Sequence, residues 1–95
     1  MIKPALFKEI IDGAGYEARS YSGRGMMGRQ CIGFSVPTSD MLYAPAKLVY
    51  YAFENYEEGL DYVDDLVDQL FKNAKWDNMG RDDMIIYFPN VLYEE

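Results

Sequence analysis

Leu60, Val63, Val67, Leu70 and Ala74 recur at alternating steps of three and four residues, and Leu66 and Phe71 widen the stripe. That is the period of an α-helix. A strand, whose side chains alternate between two faces, cannot gather these positions on one side. The spacing predicts an amphipathic helix over residues 54–75, best defined over 57–74. Asn55 is the expected N-cap, and Glu58 three residues later makes a variant capping box. Lys72 and Lys75 fall in the last turn, where they suit the negative end of the helix dipole. Gly59 falls in the first turn and costs about 1 kcal/mol against alanine, so an irregular start is expected.

The opposite face of this helix carries Glu57, Glu58, Asp61, Asp64, Asp65 and Asp68. Neighbouring side chains at such spacings stand roughly 5–6 Å apart. Between Lys47 and Lys72 there are seven acids and no base. The whole chain holds nine Lys+Arg and sixteen Asp+Glu, a balance of −7, so the remainder of the chain is neutral. All the surplus charge belongs to one segment. One reading is a solvated face that keeps a small protein dispersed. A sharper one is a negative ridge that docks on a basic surface. Its row spacing is of the same order as that of phosphates along a strand. A third is a Ca²⁺ or Mg²⁺ site, but a straight helical row cannot converge six oxygens and no EF-hand loop pattern is present.

The chain has no histidine and a single cysteine. The commonest general base and the Cys/His and Ser/His arrangements are therefore excluded, as are histidine-containing metal sites. Carboxylate chemistry stays formally open, but with no base–nucleophile pair the expectation is a protein that is not an enzyme and needs no cofactor or metal. Cys31 lies in an apolar pattern and reads as core filler. One cysteine forms no internal disulfide, which suits a reducing compartment. No apolar run approaches a membrane span, and the opening Met-Ile-Lys-Pro lacks a signal-peptide core. A cytoplasmic location is the expectation, the host cytosol if the gene belongs to a phage.

Ninety-five residues make one domain. Residues 4–12 read as a short helix, with Pro4 in its first turn, Leu6, Phe7, Ile10 and Ile11 on one face, and Gly13 and Gly15 as stops. Residues 16–21 and 30–36 alternate as strands, with Ile32, Phe34 and Val36 sharing one side. They predict a β-hairpin with a glycine-rich tip over 22–29. That tip spells G-x-G-x-x-G in Gly23, Gly25 and Gly28, but a strand follows where a dinucleotide fold needs a helix. The bland reading is a loop whose glycines take positive φ. Two others stay open. The backbone of Gly23, Gly25 and Gly28, with Arg24 and Arg29, would cover a phosphate or nucleotide. Alternatively Met26, Met27 and the arginines would touch a protein.

Pro37 to Asp40 is a break and a helix-start signal. Residues 48–53 are apolar throughout and fit a buried strand or a buried helix; Ala44, Ala46 and the length favour a helix starting near Pro45. Tyr43, Tyr50, Tyr51, Tyr56 and Tyr62 crowd this region, and tyrosine is favoured at interfaces. Residues 76–83 read as a turn. Residues 84–88 read as a strong strand, central in its sheet or covered on both faces and ended by Pro89, with a short tail after it. The expected fold is α+β, a small antiparallel sheet of the hairpin plus the C-terminal strand. Two or three helices would cover one face.

The pieces YSGRGMMGRQC (21–31) and DNMGRDDMIIYFP (77–89) resemble a set of small uncharacterised phage and bacterial proteins. The resemblance implies no named activity and transfers no catalytic residue. It implies that the hairpin tip and the turn before the last strand form a unit, with the acidic segment as the distinctive part. Small size and acidity are also similar, at the level of class, to anti-restriction and anti-CRISPR inhibitors.

The leading expectation is an acidic, non-enzymatic inhibitor that docks its helix on a basic surface of a nucleic-acid-handling complex of the defence type. Glu57, Glu58, Asp61, Asp64, Asp65 and Asp68 would steer and pair, and Tyr50 and Tyr62 would anchor. Direct nucleic-acid binding is disfavoured by the balance of −7. The alternative is a small-ligand module using the 22–29 tip. A homo-oligomer in which helix and tyrosines meet a symmetry mate is the third reading.

Overall fold

The apolar stripes meet in one layer between a sheet and three helices. The computed structural model describes residues 3–22, 30–56, 61–78 and 83–93, without the side chains of 61–63 and 78. Helix α1 (Pro4–Gly13) leads to strands β1 (Arg19–Tyr21) and β2 (Cys31–Pro37). A 3₁₀ turn (Thr38–Asp40) precedes α2 (Ala44–Asn55). Helix α3 (Asp61–Asp68) continues into a π-type turn (Gln69–Asn73), and β3 (Lys75–Asn78) and β4 (Asp83–Leu92) complete the chain. The sheet is antiparallel in the order β1-β2-β4-β3. The fold is the α+β arrangement that the sequence predicts.

Pro4 stands in the first turn of α1, where its missing N–H is no loss. Phe7, Ile10 and Ile11 are fully buried on one side, as their spacing requires. On the sheet, Ile32, Phe34 and Val36 of β2 alternate inward and pair with Phe88, Ile86 and Met84 of β4. Leu48 and Ala52 of α2 and Leu66 and Leu70 of the third helical stretch close the core. Its centre is aromatic: the rings of Phe7 and Phe88 lie 4.7 Å apart at 51°. Such offset pairs add roughly 0.5–1.5 kcal/mol to their area burial.

The helices cover one face only. On the other, Ile85 and Tyr87 are half-buried, so β4 is central but not covered on both sides. There Gly33 is buried beneath the Tyr21 ring, and a Cβ built on it would stand 2.5 Å from that ring. Cys31 is buried, and burial pushes its thiol above the ordinary range.

Several boundaries differ from the sequence reading. β1 is only three residues long, because the chain at 16–18 is held otherwise: the Ala18 N–H donates to the Asp12 carboxylate at 2.9 Å. β4 does not end at Pro89. Cys31 pairs with Leu92 and Ile32 with Phe88, so Pro89 sits in a register shift where no ladder bond is asked of it. Of the expected turn 76–83, residues 76–78 instead belong with Lys75 to an edge strand, with Trp76 opposite Ile86, Asp83 opens β4, and 79–82 lie outside the described residues. The segment 54–75 is not one helix. Glu54 and Asn55 end α2, and Asn55 is no N-cap, since its side-chain amide donates to the Tyr51 carbonyl at 2.9 Å. Lys75 opens β3.

A polar brace ties the α1–β1 turn to α2. The Tyr16 hydroxyl donates to Asp40, and Lys47 Nζ reaches both Asp40 oxygens at 2.9 and 2.8 Å. Gly15, with φ of 101°, makes the turn that aims Tyr16 there. Lys47 and the Tyr16 hydroxyl hold the Asp40 carboxyl below its usual range. Burial, then Asp40, raises the Tyr16 phenol.

Candidate docking surface

Helix α2 is apolar around most of its circumference, and a helix facing one core can bury only one stripe. Ala44, Pro45, Leu48 and Ala52 take the core side. Ala46, Val49, Tyr50 and Phe53, at i, i+3, i+4 and i+7, form a second row beside it. Helix α3 repeats the division. Leu66 and Leu70 are buried, whereas Val67 and Phe71 lie one row over. Phe71 therefore does not widen the core stripe; it is 65% exposed. The two spare rows face each other and line an open apolar groove of about 490 Å³. Tyr50 is 66% exposed and Phe53 57%.

Carboxylates stand along both rims. On α2, Glu54 follows Tyr50 by one turn and accepts a hydrogen bond from its hydroxyl, which raises the tyrosine's pKa. On α3, Asp64 and Asp68 lie one turn apart and are exposed, with Val67 and Phe71 each three residues further on. Asp68 pairs with Lys72 at 3.2 Å. Such an exposed i,i+4 pair is worth only about 0.3–0.5 kcal/mol, so it yields readily to a better partner. From Asp61 to Asn73 the chain carries four acids and one base.

Of the residues singled out from sequence, Asp64, Asp65, Asp68 and Tyr50 share this region. Asp64, Asp68 and Tyr50 are exposed, and Asp65 is half-buried. Asp61 and Tyr62 lie on α3 by their backbone, but their side chains fall outside the described part. Glu57, Glu58 and the loop residues Gly23, Arg24, Gly25, Met26, Gly28 and Arg29 lie outside the described residues. Phe53, Val67 and Phe71 were not legible as surface residues. The one signal, for Phe53, was that residues 48–53 are apolar all round, more than a single packed face uses.

Among the described residues no three acids or thiols come together as a metal site would require. Also among them, no helix is long and apolar enough to cross a membrane. Comparison with protein families, with curated proteins and with solved structures finds no match.

Proposed function

We propose that this chain is a non-enzymatic binding protein that sets the acidic side of α3 on a basic protein surface and blocks it. The observation that carries this reading is the placement of Asp64 and Asp68 on one exposed side of α3, within the interval between Lys47 and Lys72 that holds seven acids and no base. Clustered carboxylates speed encounter with a positive surface and repel acidic competitors. Clustered basic surfaces are characteristic of sites that hold nucleic acid. The partner of this reading is a nucleic-acid-handling complex, with restriction and CRISPR effectors as the specific case. The chain would occupy the place of the phosphate backbone without binding nucleic acid itself.

The test is affinity capture from a lysate of the source organism at low and high salt, with wild type and an Asp61→Lys/Asp64→Lys/Asp68→Lys variant. The expected partner is retained at low salt, released by salt or by added DNA, and missed by the variant. Capture of the same proteins by the variant, unaffected by DNA, would refute the reading.

A further inference from the structure

Charged rims steer, but exposed ion pairs contribute at most about 1 kcal/mol each, so a stable complex needs an apolar anchor. We infer that the groove between α2 and α3 is that anchor, and that it takes an amphipathic helix of the partner whose apolar row is flanked by lysine or arginine on both sides. This rests on the reading of the acidic side as a docking surface and specifies what docks.

The groove's shape favours a helix. Its α2 wall runs from Ala46 to Phe53, a rise of roughly 10 Å, or two turns. Its α3 wall offers Val67 and Phe71 one turn apart. Side chains at i, i+3, i+4 and i+7 of an incoming helix match that length. A small-molecule site of similar volume would be expected to hold a few convergent polar groups that fix its ligand. Here the lining is Ala46, Val49, Tyr50, Phe53, Val67 and Phe71, with the tyrosine hydroxyl turned to Glu54. The polar groups stand outside the groove, along its edges.

Charge decides between the remaining occupants. Glu54 lies beyond the α2 wall, where Lys47, two turns before it, is already held by Asp40, and Asp64 and Asp68 lie beyond the α3 wall. A second copy of this chain would bring the same carboxylates against them, and like charges juxtaposed across an interface are costly. A helix with bases on both sides of its apolar row meets opposite charge at each edge. Phe53 and Phe71, more than half exposed, would then be covered.

The test uses a synthetic helical peptide of about five turns, with leucines at i, i+3, i+4 and i+7 and lysines on both flanks. Two control peptides exchange the leucines for serine or the lysines for glutamate. Amide shifts of the protein are followed by NMR, and its mass by sedimentation. The expected result is saturable binding with shifts centred on 46–53 and 64–71. The serine peptide should bind at least about 10-fold more weakly, and a folded Phe53→Ser/Phe71→Ser variant should lose the leucine peptide. If the serine peptide binds equally well, the groove inference is overturned while the charge reading stands. If the glutamate peptide binds equally well, the groove is an apolar site only, and both the lysine-flanked occupant and the charge reading fail. Binding of none of the three overturns the inference, as does a dimer that buries the groove and is broken by Phe71→Ser.

Discussion

Replacing Gly33 by alanine should destabilise the fold, although alanine is ordinarily the better residue within a strand. Two effects oppose each other. Alanine restricts the unfolded chain and fits extended backbone, a gain of about 0.5–1 kcal/mol. Against this, its Cβ would stand 2.7 Å from the Ile86 carbonyl oxygen and 2.5 Å from the Tyr21 ring. The ring can swing aside. The oxygen belongs to the neighbouring central strand and cannot move without parting β2 from β4. Overpacking of this kind costs about 1–3 kcal/mol, which exceeds the gain. The net loss is about 1–2 kcal/mol, or a fall in Tm of about 4–16 °C for a domain of this length. Thermal unfolding followed by circular dichroism, with urea titration as a second route, measures it. Adding Tyr21→Ala to Gly33→Ala should recover only part of the loss, because the carbonyl contact persists. A Gly33→Ala protein that melts at or above the wild-type temperature would refute the account of the β2–β4 contact.

Other expectations follow from particular groups. Gln69 is 5% exposed, and among the described residues its Oε1 has no hydrogen-bond partner. Gln69→Leu should raise stability by about 1–2 kcal/mol, since a buried unpaired acceptor is costly; a drop in the urea midpoint would contradict this. Asp40 is held below its ordinary range by Lys47 and Tyr16. Its contribution is complete above about pH 4 and is lost as acid protonates it below that. The stability gap between wild type and Asp40→Asn should therefore narrow below about pH 4, and a gap unchanged down to pH ~3 would count against the brace. Tyr16 is raised, so its contribution holds to about pH 10 and fails only beyond, where Tyr16→Phe should converge on wild type in urea titrations. Phe71 keeps 65% of its surface exposed, roughly 130 Å² of a ring of about 200 Å². Covering it is worth about 3 kcal/mol, so Phe71→Ser should weaken peptide binding about 100-fold in calorimetry.

Where a stripe had one period and one neighbour, the sequence was enough. Phe7, Ile10 and Ile11 predict α1, and the alternation of Ile32, Phe34 and Val36 predicts β2 and its inward side. Lys75 to Asn78 escaped because four residues with Asp77 and Asn78 carry no strand period; their pairing with β4 is purely tertiary. The length of β4 was hidden by Pro89, which local rules read as a stop and the register shift accommodates. The candidate docking surface was half legible. The acids of α3 announce themselves by charge. The groove does not, because an apolar row facing solvent and one facing the core have the same composition, and only the packing of α2 against α3 separates Phe53 and Phe71 from Leu48 and Leu70.

The most direct measurement is displacement of labelled DNA or RNA from the captured partner by increasing amounts of this chain. Wild type should release the nucleic acid completely, with a potency that weakens as salt is raised, and the Asp61→Lys/Asp64→Lys/Asp68→Lys variant should release none. A stable ternary complex of partner, nucleic acid and wild-type chain would contradict the claim that the acidic side of α3 takes the place of a phosphate backbone.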